Sequence, residues 1–425
     1  MGQSRAPHEL SATEAVAGIR AGWLTAEELV GSCLDRIAAR DGEVRAWAHL
    51  DPEAALEAAR ARDAGVPSGP LHGVPVGIKD IMDTRDMPTA YGSPVYADHQ
   101  PPDDAVCVGS LRAAGAVIPG KTMTTEFALF QPAPTRNPLD LSRTPGGSSS
   151  GSAAAVADRM VPLALGTQTA GSIIRPAAYC GIFGFKPTLG TVSVAGVKAV
   201  APSLDTVGGF ARTAEDLGYL ARALGVNTAT EPLPARPRVG VLHADWDDAM
   251  DAEAATVLKN GVDALRDVAE VEDLVFDGEA SGLIDAQTAI MDAEAAVSLA
   301  RERERHAAAL SPLLRERLDA GDAVPPERLA AARALVERSR ERADDLLASY
   351  DVVLASAVVN EAPEASTTGD PVLCRPWTLL GVPCVAVPGL TGPTGLPLGV
   401  QVLAPRGDDG AALAAAGWLA GALAG

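Results

Sequence analysis

The chain has 425 residues, of which 47% are hydrophobic and 21% are charged, and this composition is typical of a globular protein. Its formal net charge is −20, so it has too few basic residues to neutralise nucleic acid phosphates or to bind an anionic membrane surface. The composition therefore argues against nucleic acid and against the membrane surface as partners.

The spacing of the cysteines and the sequence of the N-terminus indicate the cellular compartment in which the protein resides. The five cysteines lie far apart, and no two of them form a C-x-x-C pair, which is typical of a reducing environment. The first residues lack the apolar core of a signal peptide, and no apolar run reaches the ~18 residues of a membrane-spanning helix. We therefore predict a cytoplasmic protein.

The chain begins with residues that favour helices. The segments SATE at 11–14 and TAEE at 25–28 each fit a capping box, in which an N-cap hydroxyl and a later glutamate bind free amide groups. Residues 52–63 are predicted to form a third helix.

Strand and helix patterns alternate along the rest of the chain. Strands are predicted at 74–78, 116–118, 161–165, 239–242 and 350–355, and helices at 251–268 and through most of 284–349. This alternation predicts an α/β fold, with a central mixed, largely parallel β-sheet covered by helices on both faces. We expect a single domain over 1–425, with a catalytic core at about 70–215 and with 284–349 as a helical flank or cap.

Residues 115–122 match the phosphate-binding pattern G-x-x-x-x-G-K-T. A phosphate loop needs free amide groups between a strand and a helix. Here Ala-Val-Ile is itself the predicted strand, and Pro119 has no amide hydrogen to donate. We therefore interpret the segment as a buried strand followed by a loop, without a nucleotide site.

Residues 147–151 match the G-x-S-x-G nucleophile elbow, with Ser149 as the nucleophile. That motif needs a strand before it and a histidine partner. A loop precedes this segment, and the histidines downstream are His243 and His306. The elbow is therefore the less favoured hypothesis.

A longer set of motifs supports a third hypothesis. Lys79 lies in GVPVGIKD, Ser148 in TPGGSSSGSAAAVA, and Ser172 in LALGTQTAGSIIRPAAYCGIFGFKPT. The first serine loop runs into a helix-like segment, and the second follows a strand-like one. Two ordered loops around one helix and one strand can place both serines in one pocket, as a flexible linker would not.

These segments together resemble the amidase signature family. The resemblance is dense over about 70–210 and resumes in YDVVLASAVVNEAP and WTLLGVPCVAVPG. It implies the amidase signature fold and a Ser–cisSer–Lys triad, with Ser172 as nucleophile, Ser148 as relay and Lys79 as base. It also implies a cis peptide bond at Gly147–Ser148. The implied oxyanion hole consists of the backbone N–H groups of Thr169, Ala170, Gly171 and Ser172.

Lys79 can serve as a base only if its pKa is lowered. A free lysine has a pKa of about 10.4 and is charged at neutral pH. Burial among the apolar residues of 74–78 would lower this pKa, whereas the carboxylate of Asp80 would raise it. The conflict is relieved if the two side chains point to opposite sides of an extended segment.

The chain departs from the common family pattern in its second serine loop. The common G-T-D-T-G-G-S is here G-T-Q-T-A-G-S, and the arginine lies one position later, at Arg175. These departures leave the identity of the substrate open. The candidate substrate-binding residues are Met123, Phe127, Ser149 and Gln168.

The resemblance implies hydrolysis of a small C–N acyl bond by an amidase that acts on linear amides, carbamates or urea-derived substrates. It implies no metal and no cofactor, a small-molecule substrate as the partner, and at most a homodimer. The alternative hypothesis is an amidotransferase-like subunit that is active only with a partner protein.

Overall fold

The structure is a computed structural model that describes residues 5–276 and 280–424. Its strands are β1 Trp47–Leu50, β2 Val76–Lys79, β3 Gly120–Thr122, β4 Leu163–Gln168, β5 Phe183–Lys186, β6 Thr206–Ala211, β7 Arg238–His243, β8 Glu270–Val275, β9 Val352–Ser356, β10 Cys384–Thr391 and β11 Pro397–Leu403. Its α-helices are α1 Ala12–Ala21, α2 Ala26–Val44, α3 Pro52–Asp63, α4 Val106–Ala113, α5 Ser150–Ala157, α6 Ile174–Cys180, α7 Ala214–Ala223, α8 Ala252–Leu265, α9 Ala280–Ser298, α10 Ala300–His306, α11 Pro312–Asp322, α12 Pro326–Leu347, α13 Arg375–Leu380 and α14 Asp409–Ala424.

The predicted N-terminal helices are confirmed together with their caps. The Ser11 hydroxyl accepts a hydrogen bond from the Glu14 amide at the start of α1. The Thr25 hydroxyl accepts one from the Glu28 amide at the start of α2. In both boxes the glutamate accepts a hydrogen bond from the N-cap amide, so two free amide groups are satisfied at each helix start.

The strands form one 11-stranded mixed sheet in the order β1-β3-β2-β4-β6-β5-β10-β11-β9-β7-β8. The predicted mixed sheet is confirmed, but parallel pairs are not the majority. Six of the ten neighbouring pairs among the described strands are antiparallel and four are parallel. One reason is that a short turn joins β10 to β11, and such a turn can connect only antiparallel strands.

Helices cover both faces of the sheet, as predicted. In β4, Leu163 and Leu165 pack into a core that also holds residues of α4 and α7. Ala164 points to the other face and packs with residues of α5 and α6. This alternation follows from the two-residue period of a strand, and it leaves β4 buried on both sides.

The strand predicted at 116–118 lies instead at 120–122. Val117 makes only a single bridge, to Pro75. The regular strand begins after Pro119, because proline cannot donate to a ladder of hydrogen bonds. Gly120, Lys121 and Thr122 are therefore residues of β3 and pair with β1. The G-K-T of the phosphate-binding pattern therefore lies in the buried strand β3 and not in the loop expected after the strand, so its backbone belongs to the sheet and not to a phosphate loop.

The structure also describes the cysteines and the apolar helices. All five cysteines are buried free thiols. Within residues 5–276 and 280–424, no helix is both long enough and apolar enough to cross a membrane.

Candidate active site

The pairing of β2 with β4 places Lys79 beside the second serine loop. The two strands run parallel, with Val76 opposite Leu163, so their carboxyl ends lie at the same edge of the sheet. Lys79 is the last residue of β2. Its Nζ lies 2.7 Å from the hydroxyl oxygen of Thr167, near the end of β4.

Lys79 also contacts the first serine loop. Its Nζ donates a hydrogen bond to Ser148 Oγ over 2.7 Å. The Lys79 side chain is fully buried. This burial holds the pKa of Lys79 well below its usual range, while the carboxylate of Asp205 acts in the opposite direction. The site therefore favours the neutral amine of Lys79.

Asp80 points away from Lys79, as the alternation of an extended segment predicts. Its Oδ1 lies 3.2 Å from Lys121 Nζ on the neighbouring strand β3. Lys121 also donates hydrogen bonds to the Thr89 hydroxyl at 2.5 Å and to the Met82 carbonyl at 2.9 Å. The lysine of the phosphate-binding pattern is thus fully engaged in the core.

The peptide bond between Gly147 and Ser148 is cis, as the resemblance implies. The Gly147 carbonyl oxygen accepts a hydrogen bond from Arg175 Nη2 over 2.7 Å. Helix α5 begins two residues after Ser148. Ser148 therefore lies just before the start of α5, and the peptide group that precedes it is held by an arginine of α6, the helix that follows the second serine loop.

Ser149 has a different environment from the one that an elbow requires. It is fully buried, and its Oγ exchanges hydrogen bonds with the backbone carbonyl and amide of Thr167, at 3.2 and 3.3 Å. His243 and His306 are both exposed. Neither of them is a hydrogen-bond partner of Ser149, so the elbow has no base.

A small cavity brings the two candidate catalytic serines together. About 20 Å³ of it is open to the centre of a water molecule, which is room for roughly one water. Its lining residues are Ala128, Leu129, Phe130, Ser148, Thr169, Ala170, Ser172, Arg175, Met291, Thr368 and Pro371. A larger hollow of about 300 Å³ beside Arg143 and Glu361 contains none of the candidate catalytic residues.

The four candidate substrate-binding residues lie outside this lining. Phe127 immediately precedes the three lining residues of its loop, and Met123 makes backbone hydrogen bonds to Ala46 and Gly151. Ser149 is bound to Thr167, as described above. The structure thus places the lining of the cavity in α9, the 368–371 loop and residues 128–130, together with the serine loops.

Gln168 is a buried structural residue in this arrangement. Its Oε1 accepts hydrogen bonds from the amides of Ile173 and Ile174, at 2.8 and 3.0 Å. Its Nε2 donates to the Thr378 hydroxyl at 2.8 Å. Gln168 therefore fixes the path of the chain just after Ser172, where an acceptor is needed at the start of α6.

Two distant side chains orient the peptide groups before Ser172. Gln287 in α9 donates to the Thr169 carbonyl at 2.9 Å, and Thr378 in α13 donates to the Ala170 carbonyl at 2.6 Å. In a trans peptide the N–H points opposite to the C=O. The amides of Ala170 and Gly171 are consequently turned away from these two partners.

Asp205 anchors the same loop from the segment before β6. Its carboxylate accepts hydrogen bonds from the Thr169 hydroxyl at 2.5 Å and from the amides of Val200 and Ala201 at 2.9 and 3.1 Å. Burial raises the pKa of Asp205 to about 6. Sequence reasoning missed Asp205, Gln287 and Thr378, since no local motif connects these residues to the serine loops.

Comparisons with known proteins identify the family of this chain. A family model described as Amidase matches residues 28–413. A glutamyl-tRNA(Gln) amidotransferase subunit from Chloroflexus aurantiacus (strain ATCC 29366 / DSM 635 / J-10-fl) is 34% identical over 95% of this chain and 94% of its own length. The protein of the same name from Acidothermus cellulolyticus is 51% identical over 50% of this chain, and that alignment covers 44% of the relative.

A solved structure described as "Crystal structure of amidase" superimposes with a TM-score of 0.89 at 32% identity, over 96% of this chain and 99% of that one. The family match and these two kinds of similarity extend over nearly the whole sequence. The chain therefore belongs to the amidase family, the amidase signature family that its serine loops resemble.

Proposed function

We propose that this protein hydrolyses a small C–N acyl bond, in an amide or in a carbamate or urea-derived substrate, through an acyl-enzyme on Ser172. The observation that carries the proposal is the 2.7 Å contact between the Lys79 amine and the Ser148 hydroxyl in a fully buried environment. Ser148 and Ser172 line the same cavity. This geometry fits a nucleophile, a relay and a base.

In the acylation step, Ser172 Oγ attacks the carbonyl carbon of the substrate. Its proton passes to Ser148 Oγ, and the Ser148 proton passes to the neutral Lys79 amine. The new bond joins Ser172 Oγ to carbon, and the carbonyl oxygen becomes an oxyanion. A low pKa of Lys79 is required here, because a protonated amine has no lone pair to accept the proton.

The oxyanion needs backbone donors in fixed positions. The amides of Thr169, Ala170, Gly171 and Ser172 are the candidates. The carbonyls of Thr169 and Ala170 are held by partners from α9 and α13, which fixes two of the corresponding amides before substrate binds. Such preorganisation lets the donors stabilise the negative charge without rearrangement.

The intermediate then collapses with cleavage of the C–N bond. The leaving nitrogen takes a proton from Ser148, which is replenished by the Lys79 ammonium. Water attacks the acyl-enzyme by the same route and releases the acid, so that Ser172 and the neutral Lys79 are regenerated.

Fluorophosphonate labelling tests this proposal without knowledge of the substrate. Intact mass and peptide mapping should place one adduct on Ser172, and the adduct should be lost in Ser172→Ala and in Lys79→Ala. Ser149→Ala is the matched control and should still be labelled. An adduct on Ser149, or labelling that survives Lys79→Ala at the normal rate, would contradict the proposed roles.

A second candidate function is that of an amidotransferase component that works only with a partner protein. The observation that favours it is the similarity over 95% of the chain to a relative named as a subunit of glutamyl-tRNA(Gln) amidotransferase. The two candidates share the triad and differ in what the isolated chain does. Hydrolysis of glutamine or of a simple amide by the purified chain alone supports the independent amidase. Activity that appears only with a co-purified protein supports the partner-dependent component.

A further inference from the structure

The backbone amide of Ala170 is an unpaired donor beside the candidate catalytic serines. Ala170 is buried and lines the same small cavity as Ser148 and Ser172. Among the described residues, no acceptor binds the Ala170 N–H, whereas the carbonyl oxygen of the same peptide group, that of Thr169, is hydrogen-bonded. A buried amide without an acceptor is unfavourable in a resting protein. It is the arrangement expected of a donor that binds an oxyanion during the reaction.

Gln287 fixes the direction of this donor. Its side chain is fully buried in α9, and its Nε2 donates to the Thr169 carbonyl oxygen over 2.9 Å. The C=O of Thr169 and the N–H of Ala170 belong to one planar peptide group and point in opposite directions. Because Gln287 holds the carbonyl, the Ala170 N–H keeps one orientation.

Arg375 in α13 determines which end of the Gln287 amide faces Thr169. Its Nη1 donates to Gln287 Oε1 and, over 3.1 Å, to the Thr288 hydroxyl. Rotation of the Gln287 amide by half a turn would exchange its oxygen and its nitrogen. An NH2 group would then face the guanidinium, and an oxygen would face the Thr169 carbonyl, so both hydrogen bonds would be lost. The cation therefore holds Gln287 as a donor to Thr169.

The charge of Arg375 is not neutralised by an ion pair. The residue is 9% exposed, and within residues 5–276 and 280–424 no carboxylate forms an ion pair with it. Burial lowers the pKa of Arg375 to about 10, so its guanidinium stays charged at neutral pH. A buried cation without an acidic partner is costly. Holding one glutamine needs only a neutral donor, so the charge calls for a further role.

Arg375, Gln287 and the Thr169–Ala170 peptide group form a row of hydrogen bonds with one direction. The guanidinium donates to the Gln287 oxygen, the Gln287 nitrogen donates to the Thr169 oxygen, and the Ala170 N–H forms the free end. Each hydrogen bond in such a row polarises the next one. The positive charge at one end therefore makes the Ala170 amide a stronger donor at the other end, where a negative oxygen would complete the row.

We propose that Arg375 is a positioning residue for the oxyanion hole, because it fixes and polarises Gln287 and thereby the peptide group whose Ala170 N–H binds the oxyanion. Arg375 is not among the residues that line the cavity, so it acts on the reaction through Gln287. The inference rests on the proposed function for the role of Ser172 and of the Ala170 amide.

The rate at which a fluorophosphonate labels Ser172 measures this effect, because negative charge develops on the phosphonyl oxygen during the reaction. Gln287→Glu keeps an acceptor for Arg375 but has no hydrogen to donate to Thr169. Removal of a whole oxyanion donor costs about 10²–10³ in rate, so a misplaced donor should slow labelling by about 10- to 100-fold. The new ion pair with Arg375 should keep Gln287→Glu folded, which urea denaturation checks. A folded Gln287→Glu that is labelled at the wild-type rate would overturn the inference.

Arg375→Met tests the charge itself. It should slow labelling by about tenfold, the lower end of what a hydrogen bond to a charged group is worth. The pH at which labelling reaches half its maximal rate should not move, because Arg375 acts on the oxyanion and not on Lys79. Gln287→Leu/Arg375→Met should be labelled no more slowly than Gln287→Leu, since the cation acts through Gln287. Multiplied losses in the double variant would mean that Arg375 acts by another route.

Arg317→Gln is the matched control for the loss of a nearby cation. The guanidinium carbons of Arg317 and Arg375 lie 5.0 and 6.0 Å from the centre of the Phe130 ring, which lines the cavity. Arg317 donates to Asp292 at 2.6 Å and not to Gln287. Arg317→Gln should be labelled at nearly the wild-type rate. Equal slowing in Arg317→Gln and Arg375→Met would show that general positive charge, and not the row of hydrogen bonds, affects the rate.

Nuclear magnetic resonance separates this inference from the proposed function. Carbon-13 at threonine carbonyls together with nitrogen-15 at alanine amides gives signals only from Thr–Ala pairs, and Ala170→Gly identifies the signal of Thr169–Ala170 by its loss. The Thr169 carbonyl resonance should shift in Gln287→Leu and, by a smaller amount in the same direction, in Arg375→Met. Such shifts in a protein that is not labelled on Ser172 would support the positioning contact and refute the proposed function. Labelling on Ser172 with an unchanged Thr169 resonance in Arg375→Met would refute the role of Arg375 alone.

Discussion

The carboxylate of Asp80 lies 3.2 Å from the ammonium of Lys121, so the acidic residue next to Lys79 in the chain neutralises a different lysine. Both partners of this pair are buried. The pairing follows from the alternation of side chains along an extended segment, which turns Lys79 and Asp80 to opposite sides. It leaves Lys79 without a carboxylate in contact, as a base at neutral pH requires.

Removal of Lys121 should therefore destabilise the fold rather than affect nucleotide binding. Lys121→Met leaves Asp80 as an uncompensated buried charge, which costs about 3–5 kcal/mol in the free energy of unfolding. Urea denaturation measures the change. The double variant Asp80→Asn/Lys121→Met should be more stable than Lys121→Met alone. If both variants are equally unstable, the ion pair is not the source of the loss.

The losses of kcat/KM caused by removing the relay Ser148 and the base Lys79 should not multiply in the double variant. Ser148→Ala and Lys79→Ala each interrupt the same proton path, so each should lower kcat/KM by about 10²–10⁴. The double variant should be no slower than about the slower single variant, because groups that act as a unit are not additive. Steady-state kinetics on any amide that is turned over decides this. Multiplied losses would mean that the two residues act independently.

Burial of Lys79 should make stability depend on pH. Its pKa in the folded state lies below the unfolded value near 10.5, so between these two values the unfolded chain binds a proton that the folded chain does not. Wild-type stability therefore rises with pH in this window, by about 1.4 kcal/mol per unit from this group. Lys79→Met should be more stable than wild type at neutral pH, and the difference should shrink as pH approaches 10.5. Chemical denaturation at several pH values checks this, and a constant difference would contradict it.

The charge of Asp205 should shift the acid limb of the pH–activity profile, because it raises the pKa of the base Lys79. Above pH of about 6 its carboxylate is charged and raises the pKa of Lys79. Asp205→Asn should therefore lower the pKa of Lys79 and move the acid limb of kcat/KM to lower pH. It should also lower kcat, since the Lys79 ammonium formed during acylation loses its counter-charge.

Glu294→Gln is the control for this experiment. Glu294 raises the pKa of Asp205 without facing Lys79, so its removal should leave the acid limb nearly where it was in the wild type. An acid limb that stays in place in Asp205→Asn would show that Asp205 does not act on the base.

Much of the site could be predicted from contiguous residues. The glycine-rich serine loops carry their own turn chemistry, and the two capping boxes specify helix starts within four residues. Predicted strands at 74–78 and 161–165 fall on β2 and β4 with shifts of a few residues at their ends. In each case the signal and the structure occupy the same short stretch of chain.

Other features were decided by the tertiary structure alone. Contacts between segments distant in sequence determine the direction of most strand pairs. They also anchor the second serine loop, through Asp205, Gln287 and Thr378. The same packing leaves donors of Arg175 unpaired within the described part of the chain. The composition of each segment is compatible with several partners. Only the packing of the whole sheet selects one partner. Burial removes water as a hydrogen-bond partner, so each buried polar group needs a donor or acceptor from another part of the chain.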